Sequence, residues 1–263
     1  MSSPTVMGIL NLTPDSFFDG GRYKNEQDII TQVETMLRDG ATFIDVGAYS
    51  SKPNADHVSE AEERSRILPV VDLLIKTFPN LILSIDTFRS GIAKSCIEAG
   101  ASIINDISAG QLDPLMLETV GKLKVPYIMM HMRGTPQNMQ KQTDYNDLLK
   151  DILFYFSERI ALARQHGITD IIVDPGFGFS KTREQNFELL NRLELLNITE
   201  LPLLIGVSRK SMIYKTLENT PQEALNGTTV LNTVSLQKGA SILRVHDVKE
   251  AMECITLVTA LNH

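Results

Sequence analysis

The sequence predicts a closed (β/α)8 TIM barrel, and three observations carry that expectation. Eight short apolar runs alternate with helical patterns along 263 residues, most runs are nearly continuous in Val, Ile, Leu and Met, and each delivers a polar group near its end. Near-continuous apolar strands suit a parallel sheet covered by helices rather than a sheet with one wet face. Eight alternations in about 250 residues suit one barrel, so residues 1–263 are read as a single domain.

The strands are read at Thr5–Leu12, Phe43–Ala48, Leu81–Thr87, Ser102–Ser108, Pro126–Met132, Asp170–Pro175, Leu203–Ser208 and Ser241–His246. Between the first two, Ile29, Ile30, Val33, Met36 and Leu37 form an apolar stripe at helical spacing that Gly40 stops. Leu148, Leu149, Ile152, Leu153, Phe156 and Ile160 form another before the sixth strand. Gly40, Gly100, Gly167 and Gly239 precede the even strands, whereas Pro79, Pro126 and Pro202 introduce the third, fifth and seventh. Glycine suits the left-handed turn that closes a helix, and proline an extended entry. Periodicity leaves an eight-stranded doubly wound sheet open as the alternative; the polar strand ends favour the barrel.

Those ends are Asn11, Asp45, Asp86, Asn105 with Asp106, His131, Asp174, the run Ser208-Arg209-Lys210-Ser211, and Arg244 with His246. Sites in such barrels lie at the C-terminal strand ends. For any one residue, capping of the next helix or a structural ion pair explains as much as chemistry does. Eight together point to a site. Acidic and amide groups end strands three, four and six, and basic groups end strands seven and eight, where these barrels often bind phosphate. Arg209, Lys210, Arg244 and His246 therefore suggest an anion subsite, although Lys210 taken singly reads as a solvated residue. Asp86, Asn105 and Asp174 suit a ligand edge rich in N–H groups.

Composition narrows the class. The chain is 43% hydrophobic and 22% charged, with a formal net charge of -7, which lacks the basic footprint of general nucleic-acid binding. No apolar run approaches the roughly 20 residues of a membrane span. Cys96 and Cys254 show no metal-type spacing, and a reduced cytoplasmic protein is the simplest expectation. Asp86, His131, Asp174 and His246 are a conceivable metallohydrolase set, but no His-x-His or His-x-x-x-His pair supports it. A Mg²⁺ held mainly through substrate phosphates fits better. Gly176–Phe179 is neither a Walker loop nor a dinucleotide fingerprint.

Seven motifs in order then resemble the dihydropteroate synthases along the whole chain. They are Met7–Gly21, Ser84–Thr87, Ile104–Ser108, Met130–Pro136, Asp174–Phe179, Gly206–Ser211 and Arg244–Val248. The resemblance implies that 6-hydroxymethyl-7,8-dihydropterin pyrophosphate and p-aminobenzoate give 7,8-dihydropteroate and pyrophosphate. It implies that Asp86, Asn105, Asp174 and Lys210 bind the pterin, and that Asn11, Ser51, Arg244 and His246 bind the pyrophosphate. By the same resemblance Asn11 meets Mg²⁺, while Lys52, Pro53, Phe179 and Ser211 surround p-aminobenzoate. Catalysis would rest on Asp86, Asp174, Lys210, Arg244 and His246, as electrostatic preorganisation without a covalent intermediate.

One departure stands out. Where the family carries Ser-Thr-Arg-Pro-Gly, this chain has Ser50-Ser51-Lys52-Pro53-Asn54, and lysine lacks arginine's planar fork. Gly20-Gly21 and Gly134 are compatible with mobile covers. The rival readings are a methyltetrahydrofolate:corrinoid methyltransferase, which would not require Arg244 and His246, and a pterin-binding homologue without catalysis. The family also implies a homodimer, for which Ala251, Cys254, Ile255 and Val258 are candidates, although packing on the barrel explains them equally.

Overall fold

The computed structural model describes residues 3–12, 18–19, 22–23, 26–49 and 58–261. Its barrel strands are β1 (Thr5–Asn11), β2 (Phe43–Gly47), β3 (Ile82–Asp86), β4 (Ile103–Asp106), β5 (Tyr127–Met130), β6 (Ile171–Asp174), β7 (Leu204–Ile205) and β8 (Ile242–Val245). All eight are parallel, in the order β6-β5-β4-β3-β2-β1-β8-β7. A bridge between Val173 and Leu203 joins the two edges, with Val173 N donating to Pro202 O at 3.0 Å. The sheet is closed, which removes the doubly wound alternative. Each strand is shorter than its apolar run, although end residues such as Leu12 still donate to the neighbouring strand, here to Gly47 O at 2.8 Å. The run Leu203–Ser208 contributes only Leu204 and Ile205 to β7.

The helices are α1 (Glu26–Arg38), α2 (Glu60–Thr77), α3 (Ser90–Glu98), α4 (Met116–Leu123), α5 (Leu148–Gln165), α6 (Arg183–Asn191), α7 (Ser211–Tyr214), α8 (Leu225–Gln237) and α9 (Val248–Leu261). The short α7 is an addition to the alternating pattern. Ile29, Val33 and Met36 are the buried stripe of α1, and Leu148, Leu149, Ile152, Phe156 and Ile160 that of α5. Gly40, Gly100, Gly167 and Gly239 all have φ between 80° and 111°, the left-handed closure expected before even strands.

Two apolar layers result. Outward strand residues such as Val6, Val46, Ile85 and Val173 pack with the helices in one continuous core. Inward residues Met7, Ile103, Ile128, Leu204 and Ile242, with Phe43 and Ile172, fill the barrel. They plug it below the mouth, so polar groups further along the same strand faces border a floor rather than a pore. Ala251, Cys254, Ile255 and Val258 are buried in the α9 packing, so the packing explanation accounts for them.

Candidate active site at the barrel mouth

The ladder register decides which polar ends face inward. Cross-paired residues share a face. Asp45 pairs with Ser84, Asp86 with both Gly47 and Asn105, Asp174 with Met130, and Arg244 with Met7. These continue the inward series of Phe43, Ile103, Ile128 and Ile172. Asp106 and His131 have the opposite parity.

Inside, the groups touch. Arg244 Nε donates to Asp45 Oδ2 at 2.6 Å and its Nη2 to Asp86 Oδ2 at 2.7 Å. Asn105 Nδ2 donates to Asp45 Oδ2 at 3.0 Å. Asp45 is fully buried and orients both Asn105 and Arg244. The sequence shows it as a polar residue ending the second strand, and its task emerges only from these contacts. Gly47 makes room for this cluster: a Cβ there would stand 3.2 Å from the Cβ of Asp86.

The charges shift accordingly. Burial pushes Asp86 up to about 7, opposed by Arg244 and reinforced by Asp45. Burial also raises Asp174, with Lys210 opposing, and Asp174 Oδ1 accepts from Gly176 N at 2.7 Å. Burial lowers Lys210 to about 8, against the pull of Asp174. For Arg244 burial works downward, but Asp45 and Asp86 outweigh it and hold the guanidinium above its ordinary value. The expected separation into an acidic side and a basic side is therefore only partial, since Arg244 reaches across to the carboxylates.

Lys210 follows β7. Its Nζ donates to Phe177 O and lies 4.7 Å from the centre of the Phe179 ring. That ring borders an apolar wall of Ile107, Met130, Met132 and Met139, with Phe88 and Leu112. This wall offers a flat substrate an apolar face, and nothing in the polar pattern pointed to it. Ser211 begins α7 beside Lys210. His246 Nδ1 lies 3.0 Å from Ser208 Oγ, which also accepts from the His246 backbone N–H at 3.2 Å. Asn11 ends β1 opposite Gly47, and its side chain makes no hydrogen bond among the described residues. Ser51, Lys52, Pro53 and Asn54, with Thr13 and Gly20-Gly21, lie outside the described residues.

Several strand-end groups are occupied elsewhere. Asp106 accepts from Tyr127 Oη at 2.6 Å, Ser108 N at 2.8 Å, Ser108 Oγ at 2.7 Å and Gly110 N at 2.7 Å. It organises its own loop. Arg209 makes a two-pronged pair with Asp247, at 2.9 and 2.5 Å, rather than joining an anion subsite. His131 is buried behind the mouth against Lys181 and the Tyr155 ring. Among the described residues no three His, Cys, Asp or Glu side chains are grouped to hold a metal, which counts against the metallohydrolase set. Nor is any described helix long and apolar enough to cross a membrane.

Known proteins are similar to this chain along nearly its whole length. A family profile described as "Pterin binding enzyme" matches residues 7–246. A dihydropteroate synthase of Synechocystis is 43% identical over 259 residues, covering 97% of this chain and 89% of that protein. One of Escherichia coli K12 is 42% identical over 262 residues, covering 99% and 92%. The solved Yersinia pestis dihydropteroate synthase, in a sulfonamide drug complex, superposes with a TM-score of 0.93 at 43% identity, covering 99% of this chain and 94% of that one. The Xanthomonas albilineans enzyme with 4-aminobenzoic acid does so with a TM-score of 0.91 at 35% identity, covering 99% and 94%. Sequence, fold and mouth together place the chain in the dihydropteroate synthase family of pterin-binding enzymes.

Proposed function

We propose that the barrel mouth performs dihydropteroate synthesis, the folate-pathway activity of its family, with the work divided among the inward-facing groups. The observation that carries this division is the incomplete bonding of the buried polar cluster. Among the described residues, Asp86 accepts one side-chain bond, from Arg244, and Asp174 one, from the Gly176 backbone N–H. Both carboxyls retain lone pairs for the N–H edge of a pterin, with the Asn105 side chain beside Asp86. Lys210 and the wall at Met130 and Ile107 border the ring.

In the reaction, the C–O bond between the pterin methylene and the pyrophosphate breaks as a C–N bond to p-aminobenzoate forms. The positive charge that develops on the methylene spreads into the ring, where Asp86 and Asp174 stabilise it. The pyrophosphate leaves with the bonding electrons. Arg244, with Nη1 free of protein hydrogen bonds among the described residues, and His246 take up its negative charge. The aniline nitrogen loses its proton to solvent or to the released pyrophosphate. Phe179 and Ser211 would flank p-aminobenzoate, with Ser51, Lys52 and Pro53 supplied by the second loop.

A Mg²⁺ ion fits the donor set. The Asn11 amide oxygen is a hard donor at the mouth without a hydrogen-bond partner among the described residues, and Mg²⁺ commonly takes few protein ligands while keeping waters and phosphate oxygens. Such an ion would neutralise charge on the leaving pyrophosphate. The buried free thiols of Cys96 and Cys254 suit a reducing setting such as the cytoplasm. A homodimer belongs to the same reading, with exposed Val230, Leu257 and Leu261 on α8 and α9 as its apolar contacts.

The test supplies dihydropterin pyrophosphate, p-aminobenzoate and Mg²⁺, and follows pyrophosphate release together with dihydropteroate formation. Stoichiometric release of both is expected. Pterin binding without turnover would refute synthesis and leave a non-catalytic binder.

A further inference from the structure

Every carbonyl from Gly176 to Phe179, in the loop after β6, is held by a side chain. Lys210 Nζ donates to Phe177 O from the mouth side, and Gln140 Nε2 to Gly178 O at 3.3 Å. Gly176 O and Phe179 O both accept from Lys181 Nζ, each at 3.0 Å. The same nitrogen lies 3.0 Å from His131 Nδ1. Lys181 is only 4% exposed, so these three partners replace water around it.

The loop has reason to need such a fixing point. Gly176, Gly178 and Ser180 take φ of 71°, 81° and 51°, and the last is a conformation that a serine adopts at a cost. Burial lowers His131 well below its ordinary pKa, so its ring is neutral beside Lys181. Burial lowers Lys181 as well, with Asp174 opposing. The arrangement tolerates either state of the amine: as ammonium it donates to all three partners, and as neutral amine it donates to both carbonyls and accepts from His131.

We infer that Lys181 is a positioning residue for the p-aminobenzoate subsite, holding the loop from behind so that the Phe179 ring stays beneath Lys210. This rests on the reading of Phe179 as part of that subsite. The effect should fall on Phe179 more than on Asp174. Asp174 lies in a barrel strand, where its carbonyl accepts from His131 N at 2.9 Å. Phe179 lies five residues further out, and Lys181 supplies the hydrogen bond to its carbonyl.

The experiment compares Lys181→Met, Lys181→Gln, Phe179→Ala and the Lys181→Met/Phe179→Ala double variant in the Mg²⁺-supplied enzyme. It measures KM for p-aminobenzoate, kcat, and equilibrium binding of the pterin pyrophosphate. For Lys181→Met, the aminobenzoate KM should rise about tenfold while pterin affinity stays within about threefold. Lys181→Gln, which keeps two N–H donors, should recover part of that loss. The double variant should match Phe179→Ala, because two residues acting through one contact are not additive. An unchanged KM in Lys181→Met where Phe179→Ala raises it overturns the inference alone. So does an equal loss of both substrates, an additive double variant, or loss of pterin binding in both Lys181 variants. An unchanged KM in Phe179→Ala instead overturns the subsite reading.

Discussion

Asp86 and Asp106 end adjacent strands, and burial raises both carboxyls, yet their surroundings differ in kind. Asp106 faces outward and accepts four hydrogen bonds from Tyr127, Ser108 and Gly110. Asp86 faces inward and, among the described residues, receives one side-chain bond, from Arg244. The same contrast separates Lys181, with three partners, from Lys210, with one carbonyl and a ring face. It separates Arg209, spent on Asp247, from Arg244, which keeps Nη1 unbonded among the described residues. A buried group whose bonds are complete builds the frame. One left short of partners is ready for a ligand.

The comparison predicts different losses. Asp174→Asn should weaken pterin binding about 100-fold or more while leaving the fold intact, since an amide presents one acceptor and one unwanted donor to the ring edge. Calorimetry that finds wild-type affinity would break the contrast. Asp106→Ala should do the reverse. It strands four donors, so denaturant unfolding should show about 2–4 kcal/mol less stability, with substrate KM values nearly unchanged at a temperature where the variant is folded.

A pH titration sharpens it further. The Asp86 carboxyl is raised from 3.8 to about 7, so the folded protein retains a proton the unfolded chain has already lost between those values. The contribution of this group to stability is therefore greatest below pH 3.8 and declines as pH rises toward 7. Pterin binding should move the other way, strengthening as pH rises through about 7 and the carboxylate forms. Asp86→Asn should flatten that dependence. The smallest effect expected is for Arg209→Lys, whose kcat and pyrophosphate-substrate KM should stay within about twofold, because its partner is Asp247 and not the leaving group.

The strand count, the glycine closures and the mouth were all legible in the sequence. What could not be read was the parity of polar residues within each strand. Parallel barrel strands are apolar on both faces, so alternation carries little signal, and Asn105 and Asp106 look alike as neighbours. The ladder separates them: Asn105 pairs with Asp86 on the inner face, and Asp106 turns to Tyr127. Asp45 was visible as a charge in Phe-Ile-Asp-Val-Gly, but only its contact with Arg244, 199 residues away, reveals its task. Lys181 had even less to mark it, following a loop that reads as glycine turns. Its role depends on three partners that come together only in the folded chain.

The closing bridge between Val173 and Leu203 has a kinetic consequence. The remaining seams of the barrel carry ladders of two to five residue pairs, whereas this one carries a single pair. Opening of the cylinder should start here, where Asp174 stands on one stave and Lys210 follows the other. In hydrogen exchange, the Val173 amide should trade its proton sooner than amides within the β2–β3 ladder. A pterin spanning Asp174 and Lys210 would act as a hoop across that joint, slowing the exchange and making the substrate part of what keeps the barrel shut.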